Sequence, residues 1–148
     1  MPLTADQDLA RVLATTHRIA LVGASGRADR PSYRVMGYLL AQGYRVFPVN
    51  PGLAGQRLHD RRVYPTLAAI TEPIDMVDVF RQPRYLKGIV DEARAIGAAL
   101  IWTQLGVVDR DAAASAEQAG IEVVMDRCPA IEIPRLRAAG LLSRIQAA

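Results

Sequence analysis

A chain of 148 residues, half of them apolar and 22% charged, is long enough to bury the core of one ordinary domain. It has no apolar run near the roughly 20 residues of a membrane span, and its opening Met1-Pro2-Leu3-Thr4-Ala5-Asp6 lacks the features of a secretory signal. A net charge of +3 does not by itself point to nucleic acid, and the single cysteine, Cys128, excludes an internal disulfide, so a reducing cytoplasm is the expected location.

Strand and helix signals alternate along the chain. Thr4 and Gln7 have the spacing of a capping box and open a short helix to about Thr15. The run Ile19-Ala20-Leu21-Val22, closed by Gly23, reads as a buried strand. From Ser32 the spacing of Val35, Met36, Leu39 and Leu40 is helical, and Gly43 stops it. Residues 44–49 form the second expected strand, ended by Asn50-Pro51-Gly52. A polar loop follows, with one short extended piece at Arg62-Val63-Tyr64 and a helical turn at 66–70. Residues 74–80 read as the third strand, and Pro83 suits the first turn of a helix running to Gly97. The fourth strand covers 98–103, and Asp109 caps a helix ending at Gly120. The fifth strand covers 121–125, and a closing helix is expected over 133–146. Apolar strands separated by helices indicate an α/β domain over residues 1–148: a doubly wound, mostly parallel sheet of about five strands with helices on both faces. The expected strand order is 3-2-1-4-5.

In such a sheet the ligand crevice lies beyond the carboxyl ends of the strands. This selects four segments: Gly23-Ala24-Ser25-Gly26, Val49-Asn50-Pro51, Phe80-Arg81 and Gln104-Leu105-Gly106. A glycine turn entering a helix suits an anionic oxygen, because backbone N–H groups gather there. The dinucleotide fingerprint is incomplete, since Gly23, Ser25 and Ala28 occupy its three glycine positions. An NAD site usually carries an acid after the second strand, to bond the ribose 2′-hydroxyl. Asn50 stands there instead, which disfavours NAD and leaves a phosphorylated ribose open.

These segments, with Arg30-Pro31-Ser32-Tyr33, Gly43-Tyr44-Arg45-Val46-Phe47-Pro48-Val49, Asp78-Val79-Phe80-Arg81, Trp102-Thr103-Gln104-Leu105-Gly106 and Val124-Met125-Asp126-Arg127-Cys128, resemble the small single-domain CoA-binding proteins. That Rossmann-like family is related to the CoA-binding domain of succinyl-CoA synthetase α subunits. The likeness runs from about Arg18 to Leu136. It implies coenzyme A as the ligand, its pyrophosphate near Gly23, Ala24 and Ser25, with Arg30, Ser32 and Tyr33 also among the binding residues. It also implies an adenosine end near Val49, Asn50, Pro51, Phe80 and Arg81, with Gln104 and Gly106 completing the site. In the ligases this domain only holds CoA, and neither His17 nor His59 matches their phosphorylated histidine, so no catalytic residue is assigned.

Other features carry less. Arg27, Arg30 and Arg34 follow the glycine loop and fit either an anion site or a solvated surface, whereas Arg57, Arg61 and Arg62 read as surface. Cys128 is read as a small buried apolar residue, the sharper alternative being a thiol that forms a mixed disulfide with that of CoA. Asp75 and Asp78 fall on opposite sides of a strand and are structural, Trp102 belongs to the core, and no spacing suggests a metal. The function expected is non-catalytic binding of CoA or an acyl-CoA. The alternatives are an NAD(P)-binding oxidoreductase domain and the CoA-binding subunit of a multi-chain acyl-CoA synthetase. The partners considered are CoA or acyl-CoA, an acyl-CoA-metabolising protein and a second copy of the chain; nucleic acid and membrane are not expected.

Overall fold

The computed structural model describes residues 1–143. Its centre is a parallel sheet of five strands, β1 (Arg18–Val22), β2 (Arg45–Val49), β5 (Met76–Val79), β6 (Leu100–Thr103) and β7 (Glu122–Val124). Between β2 and β5 lies a small antiparallel hairpin of β3 (Arg57–Leu58) and β4 (Arg61–Arg62). Helices α1 (Asp6–Thr15), α2 (Pro31–Ala41), α3 (Leu86–Ala95), α4 (Arg110–Gln118) and α5 (Pro129–Ala138) complete the element order. The α/β class and the helical cover of both faces are as expected.

The strand order corrects the expectation. The sheet runs β2-β1-β5-β6-β7, which in the five long strands is 2-1-3-4-5 rather than 3-2-1-4-5. The third long strand pairs with β1 because the outer edge of β2 is already occupied. Tyr64 bridges to Val49, its N–H donates to the Pro48 carbonyl at 2.9 Å, and its carbonyl accepts from the Asn50 N–H at 3.0 Å. Pro48 has no N–H to offer a further strand, so it belongs on an edge. At the opposite edge, the Leu3 N–H donates to the Val123 carbonyl at 2.8 Å and covers part of β7, which blunts that edge as a pairing template.

Alternation along the strands separates two apolar layers. Ile19, Leu21, Met76, Leu100 and Trp102 face α1, α2 and α5. Ala20, Val22, Val77, Val79 and Ile101 face α3 and α4. Trp102 is core, as expected, and its indole N–H donates to the Arg127 carbonyl at 2.8 Å. Asp78 lies on the first of these faces and is fully buried, while Asp75, just outside β5, accepts the backbone N–H groups of His17 and Arg18 at 2.9 Å each. Both carboxylates are structural. His17 itself keeps a buried Nδ1 without a partner.

Most helix signals hold. Asp109 caps α4 through the Ala112 N–H at 3.1 Å, and Pro83 opens a 3₁₀ turn (Pro83–Tyr85) that leads into α3. Thr4 is not a cap: α1 starts from Ala5 without a side-chain cap, and Asp6 and Asp8 complement its first turn instead. The closing helix begins four residues earlier than expected, at Pro129, and ends at Ala138; residues 144–146 of the expected span lie outside the described residues. The extended piece expected at 62–64 is in fact the β3–β4 hairpin followed by the Tyr64 bridge.

Candidate functional site

In the observed order the topological switch lies between β1 and β5, so the loops after these two strands frame the crevice. Gly23 and Phe80 meet there. Gly23 has φ +91°, and a Cβ at this position would lie 2.9 Å from the Phe80 carbonyl oxygen, so only glycine lets the two loops approach. The Phe80 N–H donates to Val22 at 2.8 Å and fixes the contact from the other side.

The loop after β1 is clasped to the end of β2. The N–H groups of Gly23 and Ala24 both donate to the Val49 carbonyl, at 3.1 and 3.3 Å. The Asn50 side chain donates to the Ala24 carbonyl and accepts from the Gly52 N–H, each at 2.8 Å. These groups are therefore engaged with one another. The groups left to receive an anion are further along, at Ser25, Arg30 and the start of α2. That helix has Arg30 at its N-cap, no side-chain cap and no acid in its first turn. Ser32, its second residue, has an N–H without an intrahelical acceptor, and the helix end is electropositive.

Two cavities open at this point. The first, about 580 Å³, is lined by Gly23, Val49, Asn50, Pro51, Phe80 and Arg81 among the residues selected from sequence. Tyr85 also lines it, with the Arg81 guanidinium stacked 4.1 Å from its ring centre. Glu92 of α3 contributes the one carboxylate of this lining. The second, about 470 Å³, is lined by Gly23, Ser25, Arg30, Ser32, Phe80 and Gln104, with Val35, Val107 and Cys128 behind them. Gly23 and Phe80 are common to both. Of the expected site residues, Ala24, Tyr33 and Gly106 line neither cavity; Ala24 and Gly106 make backbone hydrogen bonds to neighbouring loops, and the Tyr33 ring packs 4.1 Å from that of His59. Tyr33 offers its carbonyl to Nε2–H of His59 at 2.8 Å, a contact for which Gly37 leaves room. The Gly106 N–H donates to Asp126 at 2.7 Å.

That last bond shows how the second cavity is shaped. Asp126 has φ +62°, rare for a residue with a side chain. Its N–H donates to the Thr103 hydroxyl at 3.0 Å, which in turn donates to the Val107 carbonyl at 2.6 Å. The loop after β6 is thus tied to the loop after β7. Gln104 is held from below, its Nε2 donating to Asp78 Oδ1 at 2.7 Å. Burial pushes the Asp78 carboxyl up to about 7, with the Gln104 bond opposing. Asp78 Oδ2 has no partner. Burial also raises the Cys128 thiol above its ordinary value, so a buried, weakly reactive thiol is the better description of this residue.

Cations face both cavities. Arg27 is paired with Asp29 at 2.9 Å, but among the described residues neither Arg30 nor Arg81 forms an ion pair within 4 Å. Sequence reasoning missed Tyr85, Glu92, Val35 and Val107, which reach the cavities from helices or from the far side of a loop. The Arg81–Tyr85 spacing across Pro83 was the available signal. No group of three or more histidine, cysteine or carboxylate side chains converges as a metal site among the described residues, and no helix among them is long and apolar enough to cross a membrane.

Fold and site thus define a doubly wound α/β protein with a bipartite crevice at its switch point. The chain belongs to the CoA binding domain family, whose profile matches residues 17–134. It is 36% identical over 121 residues to the Bacillus subtilis protein YneT, covering 82% of this chain and 88% of that one. The structure of a protein from Pyrococcus horikoshii OT3 superposes with a TM-score of 0.86 at 36% identity, covering 93% of this chain and 96% of that one. The dinucleotide-forming acetyl-coenzyme A synthetase 1 of Ca. Korarchaeum cryptofilum shares the fold, with a TM-score of 0.65 at 20% identity over 78% of this chain and 27% of that one.

Proposed function

We propose that this protein is a non-catalytic binder of coenzyme A, held across the Gly23–Phe80 junction. The observation that carries the reading, beside family membership, is the pair of cavities sharing Gly23 and Phe80, with an arginine in each that forms no ion pair among the described residues. CoA has three parts in a line: a phosphorylated nucleoside, a pyrophosphate and a long arm. The first cavity suits the nucleoside, with Asn50 and Pro51 on one side and the Arg81–Tyr85 stack on the other. The start of α2, Ser25 and Arg30 suit the pyrophosphate, since a helix N-terminus and a guanidinium both favour anionic oxygens. The second cavity then receives the arm. The backbone of Gly23 and Ala24, engaged with Val49, serves as a clasp rather than as the anion's ligand.

Titration calorimetry of the ligand-stripped protein tests the reading, using CoA, 3′-dephospho-CoA, NAD and NADP. The expected result is CoA binding that weakens without the 3′-phosphate and with Ser25→Glu or Arg30→Glu. Clear binding of NAD or NADP with indifference to CoA would replace this reading with the oxidoreductase one. The reading as a subunit of an acyl-CoA synthetase predicts co-purification with an ATP-dependent partner chain.

A further inference from the structure

We propose that the second cavity is an acyl pocket, and that the preferred ligand is an acyl-CoA carrying a neutral, medium-length acyl group rather than free CoA. The inference rests on the reading of CoA above and goes beyond it in naming the ligand class.

Three observations carry it. Part of the lining is apolar: Val35, Val107 and Cys128 are all buried, and Phe80 is shared with the first cavity. Of the charged side chains of this lining, Arg27 is paired with Asp29 and Arg30 belongs to the pyrophosphate in the reading above; the other polar groups, Ser25, Ser32 and Gln104, are neutral. Arg127, next to Cys128, is already paired with Glu132 at 3.0 Å. Finally, the lining includes an exposed apolar side chain. Leu105, 60% exposed, lines the cavity, and the exposed Val108 and Ile131 lie one and three residues along the chain from the lining residues Val107 and Cys128. Leu105 gives the cavity an apolar rim of the kind that a ligand or partner covers. A thiol at the tip of the arm would leave both wall and rim against water. An acyl chain continuing from the sulfur would cover them.

Gln104 is the specificity element of the pocket. Its amide is oriented by Asp78 from beneath, so its remaining hydrogen-bonding capacity is presented in a fixed direction. A thioester oxygen offers such a group a good acceptor; a thiol sulfur offers only a weak one.

The test compares the affinities of CoA, acetyl-, butyryl-, hexanoyl- and succinyl-CoA for the stripped full chain. A fully buried methylene gives about a fourfold gain in affinity, so hexanoyl-CoA is expected to bind at least about tenfold tighter than CoA. Succinyl-CoA, with a charge at the chain end, is expected to bind more weakly than butyryl-CoA. In Leu105→Asp, an exposed position that the fold tolerates, the hexanoyl-to-CoA ratio is expected to fall towards one. A ratio of one or less in the wild-type protein, with CoA itself bound, would overturn the acyl pocket alone. A ratio above one that is unchanged in Leu105→Asp would overturn the place of Leu105 in the pocket and assign the apolar rim to a protein partner. Failure of every CoA compound to bind would overturn the underlying reading as well.

Discussion

Asp78 offers the sharpest test of the energetics beneath the site. The folded protein surrounds its carboxyl with apolar core, satisfies Oδ1 through Gln104 and leaves Oδ2 without a partner. Burial raises its pKa from 3.8 to about 7, so between these values the native state holds a proton that the unfolded chain has released. Stability therefore falls as pH rises through this window. At about 1.4 kcal/mol per pH unit, the decline between pH 5 and 8 amounts to about 3 kcal/mol, order of magnitude. Asp78→Asn mimics the protonated acid: its Oδ1 still accepts from Gln104, and its amide nitrogen replaces an equally unpartnered hydroxyl. The variant is expected to match the wild type at pH 5 to within about 1 kcal/mol and to exceed it by about 3 kcal/mol at pH 8. Urea denaturation at pH 5, 6, 7 and 8, followed by the fluorescence of buried Trp102, measures both slopes. Asp6, Glu72 and Glu122 do not confuse the comparison. Their hydrogen bonds to Arg135, Arg45 and Arg11 hold them below the ordinary carboxylate range, so the stability they confer is lost only at more acid pH. Parallel slopes for wild type and Asp78→Asn would refute the reasoning.

Gly23→Ala places a side chain in left-handed backbone and against the Phe80 carbonyl; the expected cost is about 2 kcal/mol or more, together with weakened CoA binding, and thermal melts with calorimetry check both. Glu132→Ala leaves Arg127 and Arg135 without their shared carboxylate; because both guanidinium groups are partly solvated, the expected loss is about 1–3 kcal/mol rather than the full penalty of a buried ion pair, read from urea midpoints. Cys128, with its thiol raised by burial, is expected to react with a chromogenic disulfide at pH 8 more slowly than free cysteine and more slowly still with ligand bound, so rapid labelling in the bound state would contradict the cavity assignment.

The long elements were legible because each carries its own periodicity and punctuation: Val22 into Gly23, Asp109 before α4, Gly97 and Gly120 after α3 and α4. The loops after β1, β2, β5 and β6 followed from the general rule for parallel sheets, and the structure brings residues from all four to one crevice. Strand order was not legible from periodicity, because a crossover on either side of β1 obeys the same handedness. Yet Pro48 held a clue. A proline within the second strand argues for an edge, and an order of 3-2-1-4-5 would have placed that strand inside the sheet. The division of the site into two cavities was not legible either. It depends on how Tyr85, Glu92 and Val35, on helices, project towards loops distant in sequence, and on Asp126 adopting a backbone shape that its residue type does not announce.

The arrangement of hydrogen bonds suggests how these loops are made rigid enough to bind. Asn50 joins the loop after β1 to that after β2, and Phe80 fixes the β1 end against β5. Asp126 and Thr103 join the loop after β6 to that after β7. Each joint uses a backbone group that the end of a parallel strand would otherwise leave to water. The crevice therefore has two stiff halves that share Gly23 and Phe80, and CoA held as proposed would bridge them there. On this account substitutions at Asn50 and Asp126 act on different parts of the same ligand. Asn50→Ala loosens the nucleoside half and weakens CoA and acyl-CoA alike, whereas Asp126→Ala loosens the loop carrying Gln104 and Leu105 and reduces the preference for the longer acyl chain.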